Sequence, residues 1–296
     1  MAQIIVLGLL FGIISTMVLH LAKAMERHGI EIFSRKKTFK EKGKKPLIYI
    51  IGFILNNTVV IWQVIGTTFA PATIFSSVFG LGLILLMIYS HCVLNEEIKA
   101  PEIIGAILIV IGTTMVGFLY IIEPSETGNI NYLYFFILLI IISIIFIILI
   151  GFSWKTKIGI AFIFGAVAGS LGGMDNVFKR MGLRYSNFIE AFAGILRLEL
   201  LSIIFAISFI LGLLALIITQ IGFAKGADAS RLVPMYNSLY ITAPVIFELI
   251  IIEGATISIW TIISIMIIIV GIFLMNIFKK QEKLSTKEIK DSIERF

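Results

Sequence analysis

"GTTFAPATIFSSVFGLGLILLMIYSHCVLNEE" occupies residues 66–97. It holds a turn of small residues around Pro71, then an apolar run, then two adjacent glutamates, Glu96 and Glu97. Runs of about 20 apolar residues are what a bilayer core demands. The carboxylate pair either ligates a cation or marks where a helix leaves oil for water. The same plan returns later in the chain. A shift of 156 residues lays Gly66 on Gly222, Pro71 on Ala227 and Glu97 on Glu253. A glutamate that ends the same segment twice is more economically a boundary of a repeat than a ligand.

Composition points the same way. Hydrophobic residues make up 59% and charged residues 14% of the 296, and the mean hydropathy is +1.06. A soluble fold needs more polar surface than this, so the chain reads as an all-α integral membrane protein. The apolar runs do not alternate with polar residues, which excludes the strands of a membrane barrel. The lone cysteine, Cys92, cannot form an intramolecular disulfide and reads as a small packing residue. The net charge of +6 is spread over short inter-span segments, a pattern set by membrane insertion and anionic lipid, not by nucleic acid. The first segment lacks a basic n-region and a cleavage site, and reads as a retained span.

Hydropathy gives nine spans, near 2–24, 47–68, 71–94, 102–122, 132–152, 158–177, 200–224, 231–252 and 257–278. The loop 25–46 carries eight Lys/Arg. Placing it in the cytoplasm puts 20 basic residues inside and 4 outside, with the N-terminus outside and the C-terminus cytoplasmic in an inner or plasma membrane. The stretch 188–203 is expected to be an amphipathic surface helix leading into the seventh span.

A shift of 157 also lays "GLLFGIISTM" (8–17) on "GAVAGSLGGM" (165–174), and a three-residue gap then brings Gly112 onto Gly271. The expected organisation is a four-helix repeat over 1–131, a linker helix at 132–156, a second and inverted four-helix repeat over 157–278, and a basic tail at 279–296. Inverted repeats of this kind are a recurring architecture of secondary transporters, with the substrate near mid-membrane. Glycines four apart give smooth faces for close helix approach.

The turn "FAPATIFSS" and the run ending in "LNEEI" resemble the drug/metabolite transporter (EamA-like) superfamily. "FAPA", "LNEE", "GAVAGSLGGM", "FKRMG" and "VPMY" are similar to motifs of its NIPA-type magnesium transporter branch. The resemblance implies a nine-span transporter working by alternating access, with Mg²⁺ as a transported substrate and not a resident cofactor. One departure is the second span, which carries amides where that branch has an acidic residue.

Substrate ligands are expected among polar groups at membrane depth, where a charge costs ~2.5–3.5 kcal/mol and is seldom idle. Asn56, Asn57 and Gln63 in the second span, with Tyr236 and Asn237 in the eighth, are the candidate substrate-binding residues. The second-span amides serve equally as interhelical hydrogen-bonding groups. Asp175 and Glu248 are the candidate metal ligands. Asp175 can instead pair with Lys179, and Glu248 can snorkel to the interface. Hard Mg²⁺ prefers such oxygen donors, often through retained waters. Transport of a small organic metabolite, with or without a proton, is the alternative. The expected partners are membrane lipid and a small ion or molecule, with homodimerisation left open. No HExxH, GxSxG or Walker pattern is present, which argues against an enzyme or direct ATP drive.

Overall fold

The computed structural model describes residues 2–34, 38, 40–67, 78–122, 129–156, 159–182 and 188–277. Within them the chain is helical: α1 Ala2–His28, α2 Lys45–Thr67, α3 Gly82–Cys92, α4 Ala100–Ile122, α5 Tyr132–Thr156, α6 Ile160–Gly182, α7 Phe188–Leu196, α8 Leu200–Ala224, α9 Ala229–Ile251 and α10 Ile259–Ile277. Each of the nine expected spans falls on a helix over its described part. Five helices carry stretches long and apolar enough to cross a bilayer: Ala100–Leu119, Tyr132–Lys155, Ile160–Lys179, Leu200–Ala224 and Ala229–Ile251. Gly82–Cys92 and Ile259–Met275 are shorter apolar helices. The chain is thus a multi-pass, all-helical membrane protein, as its composition required. The basic tail and the "FAPATIFSS" turn lie outside the described residues.

The α7 helix settles a question of length. Its nine residues reach roughly 14 Å at 1.5 Å per residue, short of a hydrocarbon core about 30 Å thick. Leu198 then takes a left-handed φ of 56°, ending the helix before α8 begins.

The chain divides into two compact units. The first comprises Met1–Pro124, Gln220–Pro234 and Ile259–Phe296, and the second Ser125–Thr219 and Met235–Ser258. In the first unit, α1 packs on α2 and α4 packs on α10. Glycine makes both contacts close. A Cβ on Gly105 would lie 2.5 Å from the Gly271 carbonyl oxygen, and one on Gly52 would lie 2.9 Å from that of Ala22. Between helices in lipid, where burial supplies little drive, such backbone proximity is the main source of packing energy.

The second unit is centred on three buried rings, Phe135 of α5, Phe178 of α6 and Phe247 of α9. Their centroids lie 5.0, 5.7 and 5.9 Å apart. A backbone tie reinforces this core, with Asn131 N–H donating to the Ile251 carbonyl at 2.8 Å and Glu253 N–H to that of Asn129 at 2.9 Å. Beyond Phe135, α5 turns Ile140, Ile147 and Ile148 outward, a surface suited to lipid and not to water.

The glycine contacts are open to direct measurement. Gly105→Leu forces a side chain into a backbone and is expected to cost about 1–3 kcal/mol, seen as a lower thermal denaturation midpoint in detergent. Gly151→Ala, at a position with open space around the built Cβ, is expected to leave that midpoint unchanged.

Candidate functional site

In the second unit the expected residues lie on α6 and α9. Tyr236 stacks on Tyr240 with centroids 5.7 Å apart, and both lie over the glycine face of α6. A Cβ on Gly172 would sit 2.7 Å from the Tyr236 hydroxyl, and one on Gly173 would sit 2.6 Å from the Tyr240 carbonyl. The glycines of α6 therefore seat this aromatic pair. Asn237, the next residue of α9, is fully buried, and Glu248 is buried at 7% exposure. That burial places the Glu248 carboxyl inside the unit and not at a solvent-facing boundary.

Asp175 lies where α6 meets α8. Lys179, one turn on, donates to its Oδ2 at 2.8 Å, and Gly212 of α8 leaves room for the carboxylate. The Lys179 ammonium also sits 5.3 Å from the centre of the Phe209 ring, a cation–π distance. Asp175 and Lys179 thus make a part-buried, neutralised pair on one helix face.

In the first unit the second-span amides separate. Asn57 is exposed and returns its amide to the Phe53 carbonyl of its own helix at 2.7 Å. Asn56 instead donates to Glu26 Oε1 at 3.1 Å. The Gln63 side chain lies outside the described residues. Glu26 is completely buried, with Lys23 beside it at 3% exposure, and Gln220 of α8 donates to its other oxygen. Sequence reasoning missed this cluster. It assigned Glu26 to a loop, whereas α1 runs on to His28. The signal was present, since Lys23 and Glu26 are three apart and share a helix face.

A second set of ties gathers the α3–α4 turn and the start of α9. Glu96 accepts the Ala229 and Ser230 N–H groups at 2.9 and 3.0 Å, so it caps the α9 N-terminus, whose dipole favours an anion. Glu102 works in two directions. Its Oε2 accepts the Lys99 N–H at 3.0 Å, closing the first turn of α4 as half of a capping box. Its Oε1 accepts Arg231 Nη2 at 2.6 Å and Nε at 3.1 Å. This pair is nearly closed to solvent, at 15% and 4% side-chain exposure. The opening question about the glutamate pair thus divides: Glu96 is a cap, and Glu97 is exposed.

Just past the first span, at the end of α1, burial holds the His28 imidazole below its ordinary value, helped by the Lys45 and Arg27 charges. The ring is within hydrogen-bond distance of the Tyr89 hydroxyl, at 3.0 Å. Among the described residues, no group of three or more His, Cys, Asp or Glu is arranged to hold a metal ion.

Residues 3–118 match the EamA-like transporter family. That stretch takes in α1 to most of α4, hence Glu26, Asn56, Glu96 and Glu102 together. No curated protein and no solved structure matches the chain.

The Glu102–Arg231 tie gives a stability test. Arg231→Met leaves a buried carboxylate without its cation and is expected to destabilise by about 3 kcal/mol. Adding Glu102→Gln removes the orphaned charge while keeping an acceptor for Lys99. The double variant is therefore expected to regain most of the loss in a thermal denaturation series.

Proposed function

We propose that the protein is a secondary transporter that moves a small solute by alternating access between inverted four-helix repeats. The observation that carries this reading is the match of residues 3–118 to a transporter family. Within that stretch, α1 and α4 each bury a carboxylate with its ionic or amide partners. Charges buried this way are costly and persist only with partners, which makes them candidates for a part in handling a solute.

For the cargo, the leading reading is Mg²⁺ or another divalent cation. The NIPA-like motifs support it, and so does the buried Glu248 on α9. Mg²⁺ surrenders its waters reluctantly, so one or two carboxylates with amides to orient the hydration shell form a sufficient set. A small organic metabolite is the second reading. Two observations favour it: Lys179 already neutralises Asp175, and the Tyr236–Tyr240 stack offers an aromatic face. The charge count supports an N-out, C-in orientation in a prokaryotic-type inner membrane.

Protein reconstituted into vesicles loaded with a Mg²⁺ indicator is expected to admit Mg²⁺ faster than empty vesicles. Glu248→Gln is expected to slow that entry severalfold, with a smaller effect for Asp175→Asn because its charge is already paired. No flux above empty vesicles would remove the cation reading. A ligand-dependent rise in thermal stability across a metabolite panel would then identify the organic cargo.

A further inference from the structure

The turn between α3 and α4 also lines a cavity. With the end of α1, the start of α2 and the α8–α9 turn, it encloses about 600 Å³ within the first unit. That is the size of a small-molecule pocket. Several charges around it are already matched. Lys45 pairs with Glu31 at 2.6 Å, and Glu96 is committed to the α9 N-terminus.

Two charges are not matched. Among the described residues, Arg27 makes no hydrogen bond or ion pair, and its Nε is buried with no acceptor. Glu97 lines the same cavity, is exposed, and likewise has no ionic partner among the described residues. A buried guanidinium N–H without an acceptor is costly, and an anion entering the cavity would supply one. Guanidinium geometry suits a phosphate or carboxylate. Glu97 then offers an acceptor to an ammonium. Asn95, left-handed at φ 53°, makes the tight turn from which both glutamates line the cavity.

We propose that this cavity binds a charge-separated group of the phosphoethanolamine type, with its anionic end on Arg27 and its ammonium on Glu97. Two sources carry that chemistry, a phospholipid headgroup and a free small solute. The proposal does not rest on the transport reading, because binding is measured without flux.

The test uses the full-length protein in detergent free of phosphatidylethanolamine. Calorimetric titration with O-phosphoethanolamine is compared with inorganic phosphate and with ethanolamine, each of which keeps only one charge. The two-charge probe is expected to bind more tightly than either half. Arg27→Gln is expected to weaken it at least about tenfold, as loss of a charge-assisted contact would. Glu97→Gln is expected to reduce it to the level of phosphate. Arg27 makes no hydrogen bond or ion pair among the described residues, so an unchanged denaturation midpoint for Arg27→Gln is expected alongside. Native mass spectrometry with phosphatidylethanolamine against phosphatidylglycerol separates the sources. Arg27-dependent retention of the ethanolamine lipid without binding of the soluble probe identifies a headgroup, and binding of the soluble probe alone identifies a free solute. Binding of neither overturns the proposal. So does a loss equal to that of Arg27→Gln when exposed Lys44, outside the cavity lining, is changed to Gln.

Discussion

In hydrocarbon no water is present to satisfy a peptide group, and this constraint shapes the rest of the molecule. For apolar runs that do not alternate with polar residues, it leaves the helix as the spanning structure. It also removes the usual reward for bringing helices together, because lipid is as apolar as leucine. Contact then has to come from backbones meeting closely. The crossing of Gly105 and Gly271, the seat of Gly52 on α1, and the Gly172–Gly173 face under Tyr236 and Tyr240 are three uses of one solution.

The same scarcity of water governs the charges. Three of the buried carboxylates have their partners close by. Asp175 has Lys179 one turn away, Glu102 has the fork of Arg231, and Glu26 has two amides with Lys23 near it. Such groups are expensive to bury and more expensive to orphan, so pairing is a condition of their survival. It also limits what they can do for a solute. A neutralised pair is a weak resident site for a bare divalent ion.

How much was legible in advance differs between fold and site. Helix class, and the approximate position of the apolar helices among the described residues, followed from hydropathy, because the membrane leaves one structural solution for an apolar run that does not alternate with polar residues. The split of 188–224 into a short helix and a long one followed from length. Asn56 was selected as a polar group in a span, and it does hold a buried partner, yet that partner was hidden. Glu26 sits in a basic segment that looked like a loop, and only the continuation of α1 to His28 brings it against α2. Asn57, adjacent in sequence and identical in type, faces outward and bonds its own helix. One step along a helix rotates a side chain by about 100°, and composition alone does not say which of two neighbours faces in.

What the sequence by itself determined is the class: an all-helical, multi-pass membrane protein. Hydrophobic content and periodicity are properties of each segment and need no knowledge of its neighbours. What only the tertiary structure decided is the pairing. Residues 129 to 194 positions apart in sequence, Glu102 with Arg231 and Glu26 with Gln220, meet because helices pack side by side. Glu96, one of the pair read as a boundary, caps α9 for the same reason. An electrostatic partner is chosen by distance in space, and that distance is fixed by packing and not by the order of residues along the chain.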